Sequence, residues 1–319
     1  MEAVKRKENK KADRVPLLAK IKSSDQIQCY LLLSLPIIGF LVFTIYPLIW
    51  SALKAFYFYD MIPNHTRFVG FDNFVTLFTK GGDYWRGWLV TLQFLLIKVP
   101  IEIPLALIIA TILSKGLRGS NFFRNLYYLP CVISVAIVGI IFSNIFDVFG
   151  LANAWLSKLG IINAPIDWFG GKWTAMFVLI LGGIWSNLGT NVVYFTAALS
   201  NVPRELYEAA DMEGAGACTK FFKITVPMIA KVFQTILLLA INGTLRVGEY
   251  IIVMTNGAPA GKTLTAEAYV IKMFLPSFAS GSSVVNVGYG CAVSIISSII
   301  CAAIGILYMR STRKVSELY

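Results

Sequence analysis

Six long apolar runs, separated by polar and charged segments, dominate the pattern of the 319-residue chain. Each run is close to the ~20 residues that an α-helix needs to cross the hydrocarbon core of a bilayer. We therefore predict an all-α membrane protein with six transmembrane helices. They are expected at residues 29–53, 88–113, 127–145, 173–199, 232–254 and 285–308.

Composition agrees with this pattern and narrows the class of protein. Hydrophobic residues make up 57% of the chain and charged residues only 14%, whereas a soluble domain has about 25% charged residues. The net charge of +11 by itself would be compatible with nucleic-acid binding. The basic residues, however, lie in short segments beside the apolar runs, as in membrane proteins with basic cytoplasmic loops. We therefore expect a lipid bilayer and no nucleic acid as a partner.

The two sides of the predicted membrane domain differ in charge. With six spans both termini lie on one side, and the segments facing that side are basic, among them the tail of residues 1–28 and the loop of residues 201–229. Because basic loops stay in the cytoplasm, both termini are predicted to be cytoplasmic. The expected order is the tail, a first helix with its outer loop at residues 29–87, a core membrane domain at 88–310, and a C-terminus at 311–319.

One polar stretch between the fourth and fifth apolar runs, residues 208–229, has the pattern of short helices rather than of a linker. Asn201 is a suitable N-cap, and Glu205 would lie near the positive end of the helix dipole. Gly214 reaches left-handed backbone angles at little cost and is expected to end this helix. A second short helix is predicted at residues 217–224. The pattern alone also fits a simple amphipathic connector at the membrane surface.

The residues of this stretch resemble the EAA loop of ABC-importer permeases, in the carbohydrate-uptake branch that includes maltose-type and glycerol-phosphate-type transporters. The family usually has Asp where this chain has Glu213, which keeps the charge. The resemblance implies the type I permease fold, with Glu208 facing a groove of an ATPase subunit and with Phe221 and Phe222 anchoring the loop. The residues implied in coupling are Glu208, Ala209, Ala210, Glu213, Gly214, Ala215, Phe221, Phe222 and Pro227.

The same resemblance implies a complex in a bacterial cell membrane. Its expected members are a second related permease, two ATPase subunits and an extracytoplasmic solute-binding protein. This chain has no G-x-x-x-x-G-K-[ST] loop, the motif that cradles nucleotide phosphates, so ATP and Mg²⁺ are expected on the ATPase. It has one histidine, His65, no CxxC pair and no convincing nucleophile–base set. We therefore predict no bound cofactor, no metal and no enzymatic activity of its own.

Ionisable residues at membrane depth are functional candidates because burying a charge in lipid is costly. Lys98 and Glu102 stand four residues apart, so one helical turn would place them on one face as a pair. Such a pair has either a structural role or a role in the transport pathway. Arg246 and Glu249 stand three apart in the fifth run, so the same two roles, structural or in the transport pathway, are open to them.

Polar and aromatic residues of the fourth and fifth runs are candidates for a substrate pathway. Sugars bind aromatic faces through their C–H surfaces and amides or hydroxyls through their hydroxyl groups. Asn and Thr also form ordinary hydrogen bonds between membrane helices, so this alternative stays open. By position, the family resemblance also brings Gly243 and Val247 to the sugar site. The predicted pathway residues are Trp185, Asn187, Thr190, Asn191, Tyr194, Asn242, Thr244, Arg246 and Glu249.

Three functions remain in competition. The resemblance favours a permease subunit for a carbohydrate, with an oligosaccharide as the preferred substrate. A permease for a non-sugar solute is the first alternative. A stand-alone ion-coupled carrier, with the buried charges as its relay, is the second, but it leaves the loop of residues 208–229 unexplained. Outside the membrane, the resemblance puts residues 150–172 near a docked binding protein, whereas the pattern alone fits a helix lying on the membrane surface.

Overall fold

The computed structural model describes residues 24–114, 120–275 and 286–316. The chain separates into two compact units, residues 1–54 and residues 55–319. The predicted tail of residues 1–28 lies largely outside the described residues. Its last part, from Ser24, is already helical.

The described part of the first unit is one apolar helical segment. It consists of α1 (Ser24–Phe40), a π-helical turn (Leu41–Ile45) and α2 (Tyr46–Lys54). From Ile27 to Lys54 it is long and apolar enough to cross a membrane, and its most apolar stretch has no buried residue. Its apolar surface therefore suits contact with lipid, as expected for the predicted span at residues 29–53.

The second unit begins with a small structure of two strands and a short helix. Strands β1 (Tyr57–Phe58) and β2 (Arg67–Phe68) pair antiparallel, and α3 (Asp72–Lys80) follows. The buried Asn73 side chain joins them, since its Nδ2 donates to the carbonyls of Ala55 at 2.8 Å and Tyr57 at 3.0 Å.

The membrane part is made of long and broken helices. Three are long and apolar: α4 (Gly82–Leu113), α8 (Lys172–Ser200) and α15 (Val287–Ser316), with α5 (Ser120–Val132), α6 (Val135–Ile145) and α7 (Leu151–Lys158) between the first two. Between the last two lie α9 (Arg204–Met212), α10 (Ala217–Lys220), a π-helical turn (Phe221–Thr225), α11 (Val226–Met228), α12 (Ala230–Leu245), α13 (Glu249–Thr255) and α14 (Ala266–Phe274). By length and composition, the described residues contain four candidate membrane spans, or up to six if each of two bent helix pairs counts as one.

Two predicted spans were wrong as continuous helices. The run at 127–145 bends by 104° between α5 and α6, where Ile133 N–H closes a tight turn on the Pro130 carbonyl at 3.3 Å and Ser134 is extended. The run at 232–254 ends as a helix at Leu245 and resumes at Glu249. Residues 131–133 at the first break are apolar, so the apolar pattern does not reveal it. The second break contains Arg246 and Gly248 and is followed by Glu249, and these residues were the local signal for it.

The other predicted bounds differ less from the observed ones. Helix α15 continues to Ser316, so the predicted C-terminal tail at 311–319 begins inside a helix, and residues 317–319 lie outside the described part.

The core of the second unit lies where α4 and α8 pack together. One cluster joins α4, α6, α8 and α13 around Phe94 and Ile251, and another joins α4, α8 and α12 around Phe195 and Ile236.

Candidate coupling loop and substrate pathway

Helix α9 carries the acidic part of the predicted coupling residues on an exposed helix. Glu208, Ala209 and Glu213 are exposed, and α9 has no buried residue. The helix ends at Gly214, whose φ of +73° is costly for a residue with a side chain, and Ala215 N–H returns to the Ala210 carbonyl at 2.9 Å. A short acidic helix thus projects its carboxylates away from the protein.

The start of α9 differs from the prediction. Pro203, not Asn201, occupies the N-cap position, without a side-chain cap. Asn201 ends α8 instead, and its Nδ2 donates to the Ala197 carbonyl at 3.2 Å. Asn201 therefore caps the preceding helix.

The second arm of the loop holds α9 in place. The predicted helix at 217–224 is observed as α10, the π-helical turn and α11, which run on to Met228 and include Pro227. Tyr207 of α9 and the buried Thr225 share a hydrogen bond of 2.9 Å between their hydroxyl oxygens. Lys220 and Asp211 form an ion pair at 2.5 Å. Both contacts link the two arms.

The two phenylalanines expected to anchor the loop differ in their contacts within this chain. Phe221 packs against the cluster around Phe195. Phe222 is 68% exposed, and its ring meets that of Phe221 edge-on at 5.1 Å. Phe222 therefore adds apolar surface to the outside of the loop.

The pair predicted from the spacing of Lys98 and Glu102 is confirmed. Lys98 Nζ lies 2.5 Å from Glu102 Oε2, and both side chains are at most 5% exposed. Asn191 of α8 donates to Glu102 Oε1 at 2.6 Å, and Lys98 donates to Thr244 Oγ1 of α12 at 3.4 Å. One network thus joins three helices. It engages Asn191 and Thr244, two of the predicted pathway residues.

A cavity of about 200 Å³ brings four of the predicted pathway residues together. Asn187, Thr244, Arg246 and Glu249 all line it, so the break between α12 and α13 places the last two at its wall. Lys98 also lines it. The sequence left a structural role and a pathway role open for the Lys98–Glu102 pair, and the position of Lys98 at this wall is compatible with both.

The remaining predicted pathway residues lie elsewhere. Trp185 is 37% exposed and packs on Phe142 at 5.6 Å between ring centres, while Tyr194 is 42% exposed and Thr190 half-buried. Asn242 lines a separate groove of about 540 Å³ that it shares with Arg246 and Glu267. Glu267 was not predicted because α14 lies outside the six apolar runs, to which the search for charges at membrane depth was confined.

Arg246 and Glu249 do not form an ion pair within 4 Å in the described part of the chain. Arg246 ends α12 and Glu249 begins α13, so they no longer share one helical face. Both are exposed in the isolated chain. Their charges are therefore available to a molecule in the cavity.

The sequence relatives of this chain are transport proteins. The family model described as binding-protein-dependent transport system inner membrane component matches residues 102–317. The probable ABC transporter permease protein YesP of Bacillus subtilis is 32% identical over 291 residues, which cover 90% of this chain and 91% of that protein. The arabinooligosaccharides transport system permease protein AraP of the same species is 32% identical over 278 residues, covering 86% and 85%.

A solved structure extends the similarity to the fold. A chain of a bacterial alginate ABC transporter, crystallised in complex with an alginate pentasaccharide-bound periplasmic protein, superposes with a TM-score of 0.78 and 25% identity. The match covers 95% of this chain and 98% of that one. With a family match over residues 102–317 and a shared fold, the chain belongs to the family of binding-protein-dependent transport system inner membrane components, the permease subunits of ABC transporters.

Proposed function

We propose that this chain is one of two permease subunits of a binding-protein-dependent ABC importer for a carbohydrate, most simply an oligosaccharide. In this proposal the chain forms half of the translocation pathway. ATP is bound with Mg²⁺ and hydrolysed by two separate ATPase subunits, so the chain itself is not an enzyme. A solute-binding protein delivers the sugar from outside the cell membrane.

The observation that carries the proposal is the exposed acidic helix α9, held between two apolar helices. Glu208 projects from the chain, while Tyr207 and Phe221 pack against the Phe195 cluster and so tie the loop to the membrane part. Movement of a bound ATPase would therefore pass to α8 and α12 through packed contacts. Coupling requires that the ATPase contacts α9 differently in its two states, since equal binding to both would shift nothing.

The substrate class is supported by the relatives and by the cavity. The relative AraP is named for arabinooligosaccharides, and the structural neighbour was crystallised with a protein that holds an alginate pentasaccharide. In this chain, Asn187, Ser186 and Thr244 bring amide and hydroxyl groups to the cavity wall. Such groups match the hydroxyls of a sugar.

The proposal fixes an orientation in the membrane. Loop α9–α11 meets the ATPase subunits, so it lies in the cytoplasm with both chain termini. Segment 150–172 then lies outside, within reach of a docked binding protein.

Purification of the tagged chain from its host in mild detergent, followed by mass spectrometry, tests the assembly. We expect an ATPase and a second permease to co-purify. Their binding protein, once identified, can be screened against oligosaccharides. Recovery of the chain alone, still transporting without ATP, would instead identify a stand-alone carrier.

A further inference from the structure

Another cavity, of about 740 Å³, lies between the ends of α4 and α8 and the loop α9–α11, and its wall is partly apolar and partly polar. It shares no lining residue with the 200 Å³ cavity. Its wall combines Arg204, Lys220 and Tyr207 with hydroxyls from α4, α8 and the π-helical turn. Sugar import as proposed above gives it no role.

The charge of this cavity is positive. Arg204 and Lys220 line it, and among the residues that the structure describes no carboxylate does. Lys220 is paired with Asp211, whose side chain is 63% exposed and is not part of the wall. In the part of the chain that the structure describes, Arg204 makes no ion pair within 4 Å. The cavity thus offers a free guanidinium, which suits bidentate contact with a phosphate.

The hydroxyls of the wall are acceptors rather than donors. Thr111 donates to the Leu107 carbonyl at 2.8 Å, and Thr196 donates to the Val192 carbonyl at 2.7 Å. Their protons are used within their own helices, so their oxygen lone pairs remain for a partner. A matching ligand therefore carries hydroxyl donors beside its anionic group.

From these two properties we infer that the cavity binds the phosphate ester of a polyol. Arg204 and Lys220 would hold the phosphate, and Thr111 and Thr196 would accept from the polyol hydroxyls. Two sources share this chemistry: the headgroup of an anionic lipid such as phosphatidylglycerol, and a free phosphorylated polyol. Because Arg204 begins α9 and Lys220 ends α10, the bound phosphate joins both arms of the loop and stiffens it.

The lipid source is tested on the full-length chain in nanodiscs that contain equal parts of phosphatidylglycerol and phosphatidylcholine. The protein is released from the nanodiscs with detergent, and native mass spectrometry then measures which lipid stays bound as other lipids are removed. We expect the wild type to retain phosphatidylglycerol and Arg204→Gln/Lys220→Gln to lose this preference. The matched control Lys223→Gln/Lys231→Gln removes the same charge from exposed positions outside the cavity and should keep it.

The free source is tested in nanodiscs of phosphatidylcholine alone, by equilibrium dialysis with radiolabelled glycerol phosphate. Charge-assisted hydrogen bonds of this kind predict an affinity loss of about tenfold for Arg204→Gln. Arg204→Lys keeps the charge but not the bidentate contact, so its affinity should lie between those of the wild type and Arg204→Gln. Thr196→Val keeps the shape of the side chain and should weaken glycerol phosphate but not inorganic phosphate. Thr196→Val also tests the site if Arg204→Gln does not fold.

Saturable binding in either experiment that is lost in the cavity variants supports the site and identifies its source. The inference is overturned if the wild type binds neither probe, or if the cavity variants and the Lys223/Lys231 control behave alike in both experiments. These results do not depend on whether the chain imports sugar.

Discussion

Lys98 and Glu102 show how single residues decide the stability of a membrane helix. Each is an ion that would cost several kcal/mol if buried alone. Together with Asn191 and Thr244 they satisfy most of each other's hydrogen-bonding groups. The two charges are therefore tolerated only as a pair, and replacing one of them should destabilise the protein more than replacing both.

We predict that Lys98→Met lowers the free energy of unfolding by about 3–5 kcal/mol, because it leaves Glu102 as an uncompensated buried charge. Thermal unfolding in detergent measures the effect. Lys80→Met, at an exposed position on α3, is the control and should have little effect. The double variant Lys98→Met/Glu102→Leu should recover much of the loss. A single variant as stable as the wild type would show that the pair is not structural.

A second prediction concerns Asn153, which organises the loop after α6. Its side chain donates to the Ile166 carbonyl at 2.8 Å and accepts from Ile166 N–H at 3.1 Å and Trp168 Nε1 at 3.1 Å. Because Asn153 is 4% exposed, Asn153→Ala leaves buried backbone groups without partners. We expect faster proteolysis of residues 147–170 than in the wild type. The exposed Asn144→Ala is the control, and equal cleavage of both variants would contradict the prediction.

The buried charged and polar residues could be identified from the sequence, but most of their contact partners could not. The four-residue spacing of Lys98 and Glu102 is local, so their pairing was predictable. Asn191 lies 89 positions from Glu102, and no local pattern indicates that contact. Asn191 was predicted for the substrate pathway and is found bound to Glu102, while its role in transport stays a prediction.

At the scale of helices and loops, the break between α12 and α13 is the feature that shapes the cavity. It places Arg246 and Glu249 on separate helices at one wall. Gly248 makes the break possible, because a Cβ at this position would lie 2.8 Å from Glu267 Cγ and 2.9 Å from the Glu267 backbone carbonyl carbon of α14.

Gly248→Ala should therefore destabilise the protein by about 1–3 kcal/mol through overpacking. The matched control is Gly243→Ala on α12, where a Cβ would meet nothing within 4 Å and where Ala favours the helix. Thermal unfolding in detergent should separate the two variants clearly. If both unfold at the wild-type temperature, the close contact between the break and α14 does not constrain the fold.

The long helices were predictable because about twenty apolar residues leave few alternatives. The break near Ile133 was not, since the residues there are as apolar as the helices around them, whereas Arg246, Gly248 and Glu249 were a local signal for the second break. Helix α14 (Ala266–Phe274) lies outside the six apolar runs and was not predicted. The exposed loop helix α9 was predicted at nearly its observed position because Ala, Leu and Glu favour helix and Gly214 ends it.

At the scale of the whole molecule, the proposed orientation makes a prediction about access from the two sides. Cys218 is exposed in α10 and should react with a membrane-impermeant maleimide only in inside-out vesicles. Lys158→Cys, at the end of α7, should react only in right-side-out vesicles. Each site is measured in a background without other cysteines. The reverse pattern would invert the topology.

The central claim is that Glu208 on α9 couples sugar uptake to a separate ATPase. The direct measurement is labelled-sugar uptake in host cells carrying Glu208→Lys, together with the amount of ATPase that co-purifies. We expect both to fall to background with the chain still present in the membrane. Lys80→Glu, an equal charge reversal on α3, and Glu213→Asp should both retain uptake. Normal uptake by Glu208→Lys would contradict the coupling role of this helix.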